Sequence, residues 1–249
     1  MRTGRPLLAA RFALTLVSLS MVGVILLRIG GKSPVDEFSA AEHRERIRDH
    51  IGAGQQAWVD GNFQSAAQEF HAAAGLRACY PRLLSGSENR ELTQLVQQAT
   101  LLADLLRQPL EEILRGFNER PEREARAVFE RHYRGKGVIF YARFRRDAGG
   151  TYHTDYRLFD GRQEASLELS DLQLLQKLPL HEPQQMLFGA RLAGVRREAV
   201  GGWVVSLVPD SGVLLTDPRA ATACCLPAMR DGQFPEVLAR QAAWSTELP

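Results

Sequence analysis

The side chains in this chain best placed to do chemistry together lie after Gly137. Val138, Phe140, Ala142 and Phe144 alternate with Ile139, Tyr141, Arg143 and Arg145. Beyond a Gly149-Gly150 turn, Tyr152, Thr154, Tyr156 and Leu158 alternate with His153, Asp155 and Arg157. A period of two is that of a strand, so Tyr141, Arg143, Arg145, His153 and Arg157 are expected on one outward face. An aromatic ring beside a track of cations is the arrangement that stacks bases and neutralises phosphates, and the ligand class it suggests is an oligonucleotide or an oligosaccharide. Asp155, Glu164 and Glu168 interleave with these cations, and a solvated sheet face accounts for the same pattern.

Other constellations fall away on spacing. Gly52-Ala53-Gly54-Gln55-Gln56-Ala57 has the letters of a dinucleotide loop, but such a loop needs a strand before it. Here the preceding Glu42–Ile51 is charged and helical in pattern, so the glycines serve helix packing. Six histidines, at 43, 50, 71, 132, 153 and 181, show no metal-ligand spacing. No G-x-S-x-G and no phosphate-binding G-x-x-x-x-G-K-[ST] occurs. Ser85, Ser87 and Ser211 sit in turn-like contexts that capping chemistry explains. Cys224-Cys225 is an unusual pair, but redox thiols are normally two residues apart. It reads as small thiols near a loop, with a pairing to Cys79 open in an oxidising compartment. The sequence therefore predicts a non-enzymatic protein with no catalytic residue, no metal and no cofactor.

The elements that carry these residues follow from composition. The chain has 249 residues, 45% hydrophobic and 24% charged, with three cysteines. That excludes both a disulfide scaffold and a mostly disordered chain. The net charge of +2 conceals an asymmetry: residues 1–32 hold five cations and no acid, so the remainder is net acidic. A general polyanion binder carries a basic domain, so nucleic acid is disfavoured as a partner. All but three of the basic residues are arginines, which we read as codon bias.

Between Arg11 and Arg28, Phe12–Leu27 are uncharged and rich in Leu, Val, Ile and Met. As a helix they span about 24 Å, and snorkelling arginines make up the difference to a hydrocarbon core of about 30 Å. No A-x-A cleavage site follows, so residues 1–32 are predicted to be a cytoplasmic stub and an uncleaved transmembrane signal anchor. The positive-inside rule sends the rest of the chain to the non-cytoplasmic side.

Residues 33–120 read as helical. Ser39-Ala40-Ala41-Glu42 predicts a capping box opening a helix that runs to about Asp60. Asp60-Gly61-Asn62 breaks it, and Phe63–Leu76 resumes. Gly54, Gly61, Phe63, Ala66, Phe70 and Ala73 fall at the small, turn and aromatic positions of one repeat over about 47–80. In these residues the stretch resembles a tetratricopeptide (TPR) helical hairpin. It departs from that pattern at Ala57 and Trp58 and in the late Pro81. The resemblance implies a groove for a protein partner; a small bundle closing its own core is the competing reading. Glu88–Arg107 and Leu110–Phe117 continue as amphipathic helices able to pack onto the hairpin.

The charged Asn118–Glu124 marks a boundary, and residues 121–249 read as β-rich. A short helix over Arg123–Tyr133 leads into the strands, Asp160-Gly161 signals a hairpin, and Ser170–Leu178 reads as a helix capped by Ser170. Strands resume over Gln185–Glu198, Trp203–Val208 and Val213–Thr216, and a last helix is expected near Phe234–Trp244. Three strands, a helix and further strands follow the order of an OB-fold barrel. Phe129…Tyr133-Arg134-Gly135-Lys136-Gly137-Val138 resembles the entry of tRNA_anti-like OB modules. The expected fold is α+β, with a transmembrane helix, a TPR-like hairpin region and a C-terminal antiparallel OB-like β-barrel. The function expected is protein binding or scaffolding at a membrane, with partner contact at exposed positions beside the hairpin groove.

Overall fold

The computed structural model describes residues 34–199, 202–219 and 234–247. The predicted anchor at residues 1–32 and the Cys224-Cys225 pair lie outside them. Among the described residues no helix is long and apolar enough to cross a membrane.

The first helix, α1 (Pro34–Val59), begins five residues before the predicted cap, and Ser39 lies within it. Proline suits a first helical turn because its missing N–H is one that a helix start leaves unpaired anyway. Gly61, at φ +74°, turns the chain. Asn62 then opens α2 (Phe63–Cys79) by accepting the Ser65 N–H at 3.1 Å, as an N-cap should. The two helices approach at Gly54, where a Cβ would lie 2.5 Å from Cε1 of the fully buried Phe70. Ala66 and Ala73 are buried in the same hairpin, and Trp58 meets Phe63 edge-on at 5.1 Å. The close approach and the filled seam expected from the residue spacing are both present.

A reciprocal capping box starts α3 (Gly86–Ala103): Glu88 N–H donates to Ser85 Oγ at 3.2 Å and Ser85 N–H to Glu88 Oε2 at 2.7 Å. Toward its start, Leu92 completes a small core with Ile47, Ala73 and Leu84. Toward its end, Leu101 lies against Gly137 and Gly189. One helix thus lies on the hairpin and on the sheet. The next two are α4 (Leu110–Phe117) and α5 (Glu122–His132). Leu110, Ile113, Leu114 and Phe117 of α4 are buried in the core of the sheet, so this helix turns its apolar face to the sheet and not to the hairpin.

The strands are β1 (Gly137–Arg146), β2 (Tyr152–Thr154), β3 (Leu158–Phe159), β4 (Glu164–Glu168), β5 (Gln184–Arg197), β6 (Trp203–Leu207) and β7 (Val213–Leu214), with α6 (Gln173–Gln176) between β4 and β5 and α7 (Phe234–Glu247) last. Their order is β2-β1-β5-β6-β4-β3, with β7 paired to β5. β5 makes the curl: it pairs with β1 from Phe144↔Gln184 to Gly137↔Arg191, then with β6 from Leu192↔Leu207. The register slips between Leu192 and Gly194, a bulge that bends the strand and tightens its twist. The β4–β6 pair is parallel and the others are antiparallel. The two ends of the order, β2 and β3, are joined by only three residues. The sheet is therefore a curled half-barrel in an α+β fold.

The predicted continuous strand from Tyr152 to Leu158 is broken at Asp155. Its carboxylate accepts the Arg143 N–H at 2.7 Å while its own N–H donates to Arg143 O, so a side chain replaces a backbone rung. The predicted helix at Ser170–Leu178 shrinks to α6, with Leu172 at its N-cap position and no side-chain cap. Inside the curl, Phe140 and Phe144 pack on Phe188, with centroids 5.2 and 5.1 Å away. Phe117 closes on Trp203 at 5.7 Å. On the outer face, Leu187, Ile139 and Tyr141 are covered by α3 and α7 through Leu101, Phe234 and Leu238.

Candidate functional site

The five sequence-predicted ligand residues separate into two groups. Arg143, Arg145 and His153 share the exposed end of the outer face, with Arg145 directly across from His153. His153 Nε2 lies 2.8 Å from Asp147 Oδ2. That hydrogen bond, with the Thr151 N–H, holds the Asp147 carboxyl below its ordinary range. Tyr141 is on the same face but half-buried, its ring 5.8 Å from that of Phe234. Arg157 stands apart beside Glu164, at 3.5 Å. The patch is therefore cationic at one end, with its aromatic turned under α7, and it lacks the open ring a base would stack on.

A second arrangement, which strand periodicity does not reveal, joins the hairpin to the sheet. After β7 the chain runs extended through Leu215, Thr216 and Asp217. Leu215 N–H donates to Leu187 O at 3.1 Å. Gln94 and Gln98 of α3 donate to Thr216 Oγ1 at 3.1 and 3.4 Å, and Trp58 Nε1 of α1 donates to Asp217 Oδ2 at 2.8 Å. Gln98 is buried; a buried carboxamide must find partners, and Thr216 supplies them. Helix side chains of α1 and α3 thus hold an extended stretch of polypeptide. Beside it a cleft of about 540 Å³ remains, walled by Trp58, Glu91, Leu95 and Arg219. The sequence signal for this groove is Trp58, one of the positions at which the chain departs from the hairpin pattern.

Two further polar hubs are structural. Gln241 of α7 is fully buried. Its Oε1 accepts Leu187 N–H at 2.6 Å and its Nε2 donates to Leu187 O and Leu215 O at 2.8 and 2.7 Å. Asn118 accepts from Trp203 Nε1 at 2.9 Å and from Arg197 Nη2 at 3.3 Å, and donates to Asp160 O at 3.0 Å. Burial alone would raise the pKa of Asp160. Hydrogen bonds from the Gln163 and Arg162 N–H groups, the Asn118 amide and the Arg162 charge outweigh it and hold the carboxyl low. Tyr156 goes the other way: burial first, then the nearby Glu111 carboxylate, push its phenol well above the usual range. Among the described residues no three His, Cys, Asp or Glu side chains gather as metal ligands, and Cys79 is exposed as a free thiol.

No known protein family, curated protein or solved structure matches the chain.

Proposed function

We propose that this chain is a membrane-anchored, non-enzymatic protein-binding or scaffolding protein that presents a TPR-like groove beside an OB-like barrel. The observation that carries the reading is the extended stretch at Thr216-Asp217, gripped by Gln94, Gln98 and Trp58. Side chains on two helices already hold a stretch of polypeptide by its side chains, and a cleft of about 540 Å³ lies open beside it. The barrel part is supported by the strand–helix–strand order and by the parallel β4–β6 pair that lets the sheet curl back toward its first edge. The anchor rests on the uncharged run Phe12–Leu27 and the five cations around it.

Site-specific photo-crosslinking in cells tests the reading. A crosslinker at Glu91, on the groove wall, is expected to capture a discrete protein that a crosslinker at Arg162, on the β3–β4 hairpin, does not. Equal capture from both positions, or none from Glu91, would sink the scaffold reading. Protease added to intact spheroplasts tests the topology separately: digestion of the chain supports the outside orientation, and protection until lysis refutes it.

A further inference from the structure

A second cleft, of about 510 Å³ and lined like the first by Gln94, has walls from α2, α3, α6, β7 with the turn before it, and α7. Its volume is that of a small-ligand site. Its chemistry is unlike that of the groove. Arg77, Arg90 and Lys177 line it against one carboxylate, Asp210. Arg134, Arg157 and Arg196 each meet a carboxylate, of Glu130, Glu164 and Glu168; the three cations of this cleft meet none among the described residues. Among the described residues the side chains of Arg90, Lys177 and Asp210 have no ion-pair or hydrogen-bond partner, and the Arg77 side chain is held only by Asn89, at 2.8 Å. Three cations facing a single carboxylate leave the cleft net positive, and an anion bound there would offset that charge.

The neutral lining narrows the class of anion. Gln97 and Gln173 bring to the cleft side-chain amides with no other partner among the described residues. Asn89 and Gln94 line it while bonding Arg77, Leu84 O and Thr216, and the Thr93 and Ser245 hydroxyls, which donate to backbone carbonyls, can still accept. An amide both donates and accepts, so it matches a hydroxyl, which does the same. The floor is aliphatic, formed by Leu174, Val213 and Leu214, and suits the C–H face of a saturated ring. Among the described residues no aromatic side chain lines the cleft, so they offer no stacking surface of the kind a nucleobase uses. We propose that this cleft binds an acidic sugar residue, its anionic group facing Arg77, Arg90 and Lys177 and its hydroxyls the amide wall. A uronate and a sugar phosphate share that chemistry.

Saturation-transfer NMR and calorimetry on the full-length chain in detergent test the proposal, with a glucuronate-containing tetrasaccharide, glucose 1-phosphate, a neutral glucose tetrasaccharide and inorganic phosphate as probes. Binding of either acidic sugar is expected, with affinity falling about tenfold or more in Arg90→Ala and Lys177→Ala. Both residues are exposed, so these variants keep the fold. Arg143→Ala, on the outer face, should leave the affinity unchanged, and the two acidic probes distinguish the uronate from the phosphate source. Binding of neither acidic sugar at millimolar concentration would overturn the proposal. So would equal binding of the neutral tetrasaccharide, inorganic phosphate binding as tightly as the sugars, or affinities unmoved in both variants. The cleft and the protein-binding groove have separate readouts, so failure of one leaves the other standing.

Discussion

Gln241 shows how much one side chain can hold. Its amide pairs with two backbone groups of Leu187 and one of Leu215, all away from water. In Gln241→Leu the buried Leu187 N–H and Leu215 O lose their partner, while Leu187 O keeps the Leu215 N–H, and the shape is nearly kept. Each orphaned group costs about 1–3 kcal/mol, and the added apolar side chain recovers only part of that, so a loss of about 3 kcal/mol is expected. Urea unfolding measures it; a loss under about 1 kcal/mol would mean that α7 is not fastened there. Asp160 sets a pH dependence. Its folded pKa is depressed, so the folded state binds fewer protons and the carboxylate adds stability above the unfolded value of about 3.9. That stability is lost as pH falls through the folded pKa. Asp160→Asn keeps an acceptor for the Arg162 and Gln163 N–H groups but not the charge. Wild type should therefore be the more stable at pH 7, with the gap closing in acid. A gap that stays constant with pH would refute this.

At the scale of elements, periodicity carried a great deal. The alternation at Val138–Arg145 marks β1 and its buried face, because strand geometry forces every second side chain inward. Gly54, Gly61 and Phe70 mark the hairpin because close approach and a left-handed turn restrict residue type. Pattern missed what side chains do to backbone. Asp155 has the spacing of a strand residue, yet its carboxylate takes the Arg143 N–H and ends β2. Pattern also assigned α4 to the hairpin, since an apolar stripe says that a helix is buried but not against what. The helix starts divide in the same way. Ser39 has the letters of a capping box and lies inside α1, whereas Ser85 and Glu88 form one. The outer-face ligand residues were legible as a face, but α7 lies too far along the chain for local spacing to show that Phe234 meets Tyr141. Ser85→Ala should destabilise the chain by about 1 kcal/mol, as loss of an N-cap does, and Ser85→Gly by only a few tenths. No loss in Ser85→Ala would show that the cap bond contributes nothing.

For the whole molecule the decisive element is α3. It shares one core with Phe70 of the hairpin and Leu187 of the sheet through Ala99, Leu101 and Leu102, and the Thr216-Asp217 stretch crosses from β7 back to Trp58. From Arg46 onward the described residues accordingly form one compact unit. Removing the helices would expose Leu187 and the outer face of β1 and β5, and removing the sheet would expose Leu101. Neither half can lose its structure without leaving apolar surface of the other in water, which at roughly 25 cal/mol per Å² is expensive for a marginally stable chain. Unfolding should therefore be a single transition. Trp58 reports on the hairpin and Trp203 on the sheet, so two variants each keeping one of them, with the other two tryptophans replaced by phenylalanine, give separate probes. In each variant the fluorescence midpoint in urea should coincide with that of its own far-UV circular dichroism, whatever the replacements cost overall. A Trp58 signal lost well before the helical signal of the same protein would mean that the hairpin opens independently. The groove at Thr216 would then be a movable contact, open to competition from a partner, instead of part of one cooperative body.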